Sequence, residues 1–356
     1  MSTTDTTEPA APARRRAPKF DAVRLDMSHG AGGKATHRLI EGVILPLLDN
    51  PALALLGDAG VLAFGNARLA MTTDAYVVRP LIFPGGSIGE LAVNGTINDL
   101  AVSGATPLAL TAACIIEEGL DTAVLAREIE AMARAARRAG VAIVSGDTKV
   151  VERGKGDQLY IVTTGVGVVD PALTLAATLV RPGDKIICSG TLGDHGAAIL
   201  IARGDLDLEA EVLSDTRPLT PLVAALAAAA GPGLRFMRDP TRGGVATVLN
   251  ELARDSGYGV VLREEALPIR AVVHGACEIL GIDPLYVANE GKLLAVVAPE
   301  FADAALAALR AVEGGEEAAI IGEVREEPAR MVLMQTGFGG TRMIDMLVGD
   351  PLPRIC

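Results

Sequence analysis

Two kinds of segment alternate along most of the chain. In one, hydrophobic residues recur at every second position, which is typical of strands; in the other they recur every three to four residues, which is typical of helices. Val61–Phe64 and Leu69–Thr73 predict a β-hairpin. One helix is predicted from the capping-box pattern of Ser87 and Glu90, and another from the N-cap residue Asp121. Further strands are predicted in this half of the chain at Pro107–Ile116, Val141–Ser145 and Leu159–Val169.

Proline and glycine break the pattern between Asp170 and Asp184, and the strand–helix alternation then begins again. The sequence therefore predicts a layered fold, with one α/β domain over residues 23–170 and a second over residues 171–336. Residues 1–22 lack periodicity, and we expect a disordered extension there. Residues 337–356 have little core-forming pattern, which predicts a flexible tail. The second domain has predicted strands at Lys185–Cys188, Leu234–Met237, Tyr258–Leu262, Leu293–Val297 and Ile320–Val324, and helices at Gly196–Arg203, Pro221–Ala229, Gly243–Asp255, Ala271–Leu280 and Phe301–Val312.

Length and charge narrow the possible functions. The 356 residues suffice for two domains of about 150 residues each. The formal net charge of −12 argues against nucleic-acid or anionic-membrane partners, because both require a basic surface. No uncharged apolar stretch approaches the roughly 18 residues of a membrane span, and no apolar segment follows the N-terminal arginines as in a signal peptide. We therefore expect a cytoplasmic protein.

The four cysteines are widely spaced and form no Cys-x-x-Cys pair, which argues against a zinc knuckle or a redox motif. Cys114, Cys188 and Cys277 lie in apolar segments and are expected to be buried. Cys356 is the last residue, where a side chain is usually inert. Alternatively, because a thiolate is a good nucleophile, a cysteine on a mobile tail could carry an acyl-type group.

Two features are candidates for nucleotide and metal binding. The glycine-rich loop Ser28–Lys34 could bind oxyanions through its main-chain amides, or it could be a plain flexible loop, since it matches neither a P-loop nor a dinucleotide-binding motif. Asp99 lies in a predicted helix of small and apolar residues, where a carboxylate needs a partner. Several converging carboxylates would suit Mg²⁺. The candidate aspartates are Asp58, Asp74, Asp99, Asp147 and Asp239.

Glu290 is a separate candidate, and it lies just before an apolar strand. It is either part of a solvated loop or a general base.

The chain carries nine short motifs in order, from the glycine-rich loop to the terminal cysteine. They are HGAGGK at 29–34, TD at 73–74, FPGG at 83–86, NDLAVSG at 98–104, GDTKV at 146–150, SGTLGDHG at 189–196, RDPTRGG at 238–244, ANEGK at 288–292 and PLPRIC at 351–356. This ordered set, which spans the chain from about residue 25 to its end, resembles the HypE family of hydrogenase maturation factors. The sequence around Asp58 departs from the paired aspartates that the family often carries there.

The resemblance implies an α+β fold related to aminoimidazole ribonucleotide synthetase, selenophosphate synthetase and thiamine-phosphate kinase. It implies two α/β domains in each subunit, N-terminal domains that pair in a homodimer, and a mobile C-terminal tail. It also implies an ATP- and Mg²⁺-dependent dehydration of an S-carboxamide on the terminal cysteine to a thiocyanate. The cyano group would serve the iron of [NiFe] hydrogenase. The implied partners are the carbamoyltransferase HypF and, as cyanide acceptor, the HypC–HypD complex.

The same resemblance assigns roles to individual residues. Cys356 is the modified residue, Glu290 the base, and Lys149 the group that stabilises charge near the carboxamide. Nucleotide contacts are assigned to Lys34, Asp74, Asp99, Gly146, Asp147 and Thr148, and metal binding to Asp58, Asp99 and Asp239.

The sequence is less consistent with two other functions, selenophosphate synthesis and non-catalytic carriage of a modified thiol. Selenophosphate synthetases typically have a cysteine or selenocysteine in the N-terminal glycine-rich loop, and Ser28–Lys34 has none. A non-catalytic carrier of the modified thiol would have no use for a Mg-ATP site, and the aspartates argue against it.

Overall fold

A computed structural model describes residues 20–48, 50–204, 211–349, 352 and 354–356, so most of the predicted extension 1–22 lies outside the described residues. The N-terminal strands are β1 (Gly60–Phe64), β2 (Ala67–Tyr76), β3 (Ile82–Phe83), β4 (Gly86–Ser87), β5 (Ala105–Glu117), β6 (Ala142–Val151) and β7 (Leu159–Val169). Five of them form a sheet in the order β1-β2-β7-β5-β6. Strands β5 and β6 are parallel and the other neighbours antiparallel, which confirms the predicted β1–β2 hairpin.

The two helices predicted in this half, after Ser87 and after Asp121, begin close to their predicted positions. The helical elements described in this half include α1 (Lys34–Leu39), a π-helical turn (Ile40–Ile44), α2 (Leu45–Leu48), α3 (Ile88–Val102) and α4 (Thr122–Arg138). Asp121 caps α4 by accepting a hydrogen bond from the Ala123 N–H at 2.8 Å. The capping box predicted for α3 is wrong, because the Ser87 side chain makes no capping bond and Glu90 pairs with Arg138.

The two faces of the N-terminal sheet differ. Helix α3 packs on one face, where residues of β7 are buried at every second position. Thr72 and Tyr76 of β2 point to this face and bond to residues of α3. The opposite face carries partly exposed apolar side chains, including those of Met71, Leu62 and Phe64. Acidic residues of α3 and β2 can therefore meet on the helix side only.

The second half forms a seven-stranded sheet in the order β14-β13-β10-β12-β8-β11-β9. Its strands are β8 (Lys185–Cys188), β9 (Leu234–Arg238), β10 (Gly259–Arg263), β11 (Leu294–Val297), β12 (Ala319–Arg325), β13 (Val332–Gln335) and β14 (Thr341–Met343), and its helices are α5 (Asp194–Arg203), α6 (Thr220–Ala230), α7 (Gly244–Ser256), α8 (Ala271–Leu280) and α9 (Ala302–Arg310). Each predicted strand and helix of this half is present near its expected bounds. Strands β13 and β14 were not predicted.

The C-terminal segment is packed against the rest of the chain. Strand β14 belongs to it, and Ile344, Leu352, Ile355 and Cys356 are all buried. The sequence shows little core-forming pattern here because isolated apolar residues in an extended segment produce no periodicity. That the tail moves stays a prediction.

The other three cysteines are also buried and unpaired, as predicted. No helix in the described ranges is long and apolar enough to cross a membrane.

Candidate active site

Three distant segments bring carboxylates to one point. Asp58 precedes β1, Asp99 lies in α3, and Asp239 follows β9. One carboxylate oxygen from each residue lies within 4.8 Å of the other two. The fold thus groups the three residues that the family resemblance assigns to the metal. A set of hard oxygen donors of this kind fits Mg²⁺.

The electrostatics of this acidic cluster, Asp58, Asp99 and Asp239, also favour a bound cation. Burial raises the pKa of Asp99 and of Asp239 well above the ordinary range, and the negative charges around each raise it further. Burial raises the pKa of Asp58 too, although the Arg238 guanidinium lowers it. The charge of Asp74 contributes to each of these shifts, which places this residue beside the cluster. Mutual repulsion among ionised carboxylates is relieved when a cation binds them.

Arg238 fixes the orientation of Asp58. Its Nε donates to Asp58 Oδ1 at 2.7 Å and its Nη2 to the main-chain oxygen of Leu56 at 2.8 Å. The same guanidinium pairs with Glu251, whose other oxygen lies 2.6 Å from Nε2 of His37. Asp58 is therefore held toward the cluster by a buried network despite the departure in its motif.

Glu290 lies in the interior between the two domains. It is 4% exposed, so the solvated-loop alternative is wrong, and its Oε1 has no hydrogen-bond partner among the described residues. Burial raises the pKa of Glu290 well above its usual value, and Asp239 and Asp215 raise it further. Asn98 of α3 donates to the main-chain oxygen of Glu290 at 3.2 Å, which connects the two domains at this point.

Three buried residues near Glu290 were missed as functional candidates. Lys292 Nζ lies 3.5 Å from Asp215 Oδ2, and the other oxygen of Asp215 accepts the Glu290 N–H at 3.0 Å. His195 of α5 is fully buried, and the charge of Asp215 acts on its pKa. Lys292 and His195 could have been found from their motifs, but no motif includes Asp215.

The end of the chain lies beside this site. The main-chain oxygen of Cys356 accepts a hydrogen bond from the Val77 N–H at 3.1 Å, and that of Ile355 lies 2.7 Å from His195 Nε2. Val77 follows directly on β2, three residues after Asp74. The fold therefore brings the candidate thiol residue to the end of β2, the strand that carries Asp74.

The structure does not bring Lys34 to the acidic cluster. Lys34 Nζ lies 2.5 Å from Asp345 Oδ2, and the Lys34 and Ala35 N–H groups donate to the main-chain oxygens of Leu347 and Val348. The loop thus binds the C-terminal segment of the chain itself. Its role toward a nucleotide stays a prediction.

The segment from Gly146 to Lys149 also lies apart from the cluster. The sequence places it just after the predicted strand Val141–Ser145, but it lies inside β6, an edge strand of the N-terminal sheet. Asp147 pairs with Ala113 of β5, on the sheet face opposite α3, and its carboxylate lies 2.9 Å from Lys149 Nζ. Both side chains are exposed. Within one chain, Asp147 and Lys149 therefore point away from Asp99.

Comparison with known proteins agrees with the two-domain arrangement. Residues 56–169 match the family described as AIR synthase related protein, N-terminal domain, and residues 181–333 match its C-terminal domain. A protein of Cupriavidus necator named carbamoyl dehydratase HypE is 54% identical over 334 residues, which are 94% of this chain and 95% of that protein. The chain belongs to the HypE family.

Solved HypE structures extend this likeness to the fold. A HypE structure in complex with ATP is 47% identical, with a TM-score of 0.78, and the match covers 94% of this chain and 100% of that one. A HypE–HypF complex contains a chain that is 45% identical, with a TM-score of 0.82, and the match covers 87% of this chain and 99% of that one. The resemblance to the HypE family and the predicted α+β fold are confirmed.

Proposed function

We propose that this HypE-family chain is an ATP-dependent carbamoyl dehydratase whose substrate is an S-carboxamide on its own Cys356. The carboxamide oxygen passes to the γ-phosphoryl group of ATP, both N–H protons leave, and a thiocyanate, ADP and phosphate are formed. The cyano group then serves the iron of [NiFe] hydrogenase. The observation that carries the proposal is the position of Cys356, whose main-chain oxygen is bound by the Val77 N–H, three residues after Asp74.

The acidic cluster is the proposed Mg²⁺ site. Asp58, Asp99 and Asp239 would hold the ion, and Asp74 lies close enough to contribute to the same field. Bound Mg²⁺ would neutralise charge on the phosphates of ATP during phosphoryl transfer. ATP binding is supported by the structure of a similar HypE in complex with ATP.

Glu290 is the proposed base. A carboxylate with a raised pKa accepts protons more readily, and its Oε1, which has no hydrogen-bond partner in the described part of the chain, is available to a carboxamide N–H. Burial of Glu290 and Lys292 keeps water from this part of the site. Exclusion of water matters because water would hydrolyse the phosphorylated carbon before the C≡N bond forms.

Lys149 is proposed to act across a homodimer. The sheet face that carries Lys149 also carries half-exposed apolar side chains such as those of Met71, Leu62 and Phe64. A sheet face of this kind is commonly covered by another layer. Two N-terminal sheets packed through this face would bring Asp147 and Lys149 of one subunit toward the other.

Mixing two inactive variants tests this arrangement. If Lys149 acts on the neighbouring subunit, a heterodimer of Lys149→Ala and Glu290→Gln has one site with both residues intact. Each heterodimer should then have about half the activity of a wild-type dimer. If Lys149 acts within its own subunit, both sites stay defective and mixing restores nothing. Light scattering on each variant checks that dimers form at all.

HypF is the proposed carbamoyl donor and the HypC–HypD complex the proposed acceptor. A HypE–HypF complex is known for a similar protein. To reach either partner, Cys356 would leave its docked position. With Val348 still bound to the Ala35 N–H, the residues after it could extend by roughly 25 Å. All partners would be met in the cytoplasm.

The mass of the C-terminal peptide tests the function. Protein carbamoylated by HypF is digested before and after incubation with Mg-ATP, and we expect the loss of one water at Cys356. Asp99→Ala should block this loss. If wild-type protein binds nucleotide and the adduct stays unchanged, the carrier function replaces the dehydratase.

A further inference from the structure

The last three residues of the chain are bound through their main chain. The main-chain oxygen of Arg354 accepts from the Arg79 N–H at 3.3 Å and from the guanidinium of Arg203. The oxygen of Cys356 accepts from the Val77 N–H at 3.1 Å. Residues 354–356 therefore run antiparallel to residues 77–79. These hydrogen bonds fix the register of the tail, with Cys356 opposite Val77 and Arg354 opposite Arg79.

His195 contacts the residue between these two. Its Nε2 lies 2.7 Å from the main-chain oxygen of Ile355, and its Nδ1 lies 2.8 Å from Oγ of Ser214. A carbonyl oxygen can only accept, so Nε2 carries the proton, and Nδ1 of the neutral ring accepts from the Ser214 hydroxyl. Burial lowers the pKa of His195, which keeps the ring neutral, and the Phe83 ring packs edge-on against it.

We propose that His195 is a positioning residue that holds the carbonyl of Ile355 and thereby sets the position of Cys356. With Arg203 and the main chain of residues 77–79 it forms a clamp on three consecutive carbonyls, here called the tail clamp. The proposal rests on the proposed function, in which Cys356 carries the reacting group. Because the tail clamp holds main-chain atoms, it does not depend on what the Cys356 sulfur carries.

Two substitutions of His195 separate its two hydrogen bonds. In His195→Gln the amide nitrogen can take the place of Nε2 and still donate to Ile355. In His195→Asn the shorter side chain can reach Ser214 but not Ile355. Both variants place an uncharged amide in the same buried position, so they differ mainly in the bond to the tail. Ser214→Ala gives an independent test, because it removes the hydroxyl that orients the ring.

Alkylation of Cys356 measures release of the tail without any catalysis. Full-length protein is treated with iodoacetamide, and the mass of the C-terminal peptide is followed over time. Loss of one hydrogen bond predicts alkylation at least about fivefold faster in His195→Asn and a near-wild-type rate in His195→Gln. Ser214→Ala should lie between them. Thermal midpoint and ATP affinity, measured in parallel, should be close to wild type in each variant.

The proposal is overturned if Cys356 of the His195→Asn variant is alkylated at the wild-type rate. It is also overturned if Cys356 is alkylated as fast in His195→Gln as in His195→Asn. If His195→Asn does not fold, Ser214→Ala decides in the same way. Single-turnover dehydration of carbamoylated protein should also be slower in His195→Asn and recovered in His195→Gln. If wild-type protein shows no dehydration while the alkylation rates follow the prediction, the proposed function fails and the tail clamp stands.

Discussion

Replacing Asp99 with asparagine should stabilise the metal-free protein and remove its response to Mg²⁺. Carboxylate oxygens of Asp58, Asp99 and Asp239 lie within 4.8 Å of one another. At an effective dielectric constant of about 20, two unit charges at this distance repel by about 3 kcal/mol. Proton uptake by the cluster and the pairing of Asp58 with Arg238 reduce that figure, so we expect a gain of about 2 kcal/mol, or about 3 °C in thermal midpoint.

The asparagine is a close match in other respects. Its amide oxygen can still accept the hydrogen bond that Thr72 Oγ1 donates to Asp99 at 2.7 Å. The substitution therefore removes charge with little change in shape or bonding. Glu300→Gln, at an exposed position on the surface, is the control for removal of one negative charge from the whole protein.

The effect has a definite dependence on pH. The pKa of Asp99 is raised above its ordinary value of 3.8, first by burial and then by Asp74 and Asp239. A group that holds its proton more tightly in the folded state stabilises the fold fully below the unfolded pKa and loses this contribution as pH rises through the folded pKa. The metal-free wild type should therefore lose stability as pH rises above about 4, and Asp99→Asn should lose less.

Scanning calorimetry with and without Mg²⁺ measures both effects. Wild type should gain stability from Mg²⁺, most at the higher pH values, where the carboxylates are ionised. Asp99→Asn should start from a higher midpoint and gain little. A lower metal-free midpoint in Asp99→Asn than in Glu300→Gln, or an undiminished response to Mg²⁺, would refute the reasoning.

Three other predictions concern single residues. Cys356→Ala should abolish formation of the thiocyanate while calorimetric titration still detects ATP binding; loss of ATP binding would mean that Cys356 has a structural role. Gly291→Ala should abolish single-turnover dehydration, because its Cβ would lie 1.8 Å from the main-chain oxygen of Asp215, whereas Gly275→Ala, with open space around it, should be active. Arg238→Ala should lower the free energy of unfolding by about 3 kcal/mol, because the largely buried carboxylates of Asp58 and Glu251 both lose a charged partner. Denaturant titration measures this loss, and an unchanged free energy of unfolding would contradict it.

The sequence predicted the elements of the fold better than their long-range contacts. The hairpin of β1 and β2 and helices α7 and α9 have strong local signals, since their apolar residues recur with the period of the element. Strand β14 has only three residues, too few for a period to be visible. The capping box at Ser87 failed because Glu90 finds a partner on α4, which local pattern does not reveal.

The candidate site was predicted through its motifs rather than its geometry. Asp58, Asp99 and Asp239 lie far apart in the sequence, and their convergence depends on how both domains pack around α3. Asp215 had no motif, so its contact with Lys292 could emerge only from the folded structure. The sequence could not predict that Lys149 lies on the sheet face away from α3. Which face a residue of β6 occupies depends on the register of β6 against β5, and this register is a long-range contact.

The contacts of the tail suit a segment that docks and leaves. Its described anchors include main-chain hydrogen bonds and the buried side chains of Leu352, Ile355 and Cys356. The Arg354 side chain adds an ion pair with Asp157 and a hydrogen bond to the main-chain oxygen of Val77. A net hydrogen bond contributes about 1 kcal/mol and a buried aliphatic side chain about 2 kcal/mol. Fixing the main chain of each tail residue costs about 1–2 kcal/mol in entropy, which offsets much of this gain. Docked and released tails should therefore be close in free energy, so that a partner that binds the released Cys356 can withdraw it, while the tail clamp returns it to the same register for the reaction.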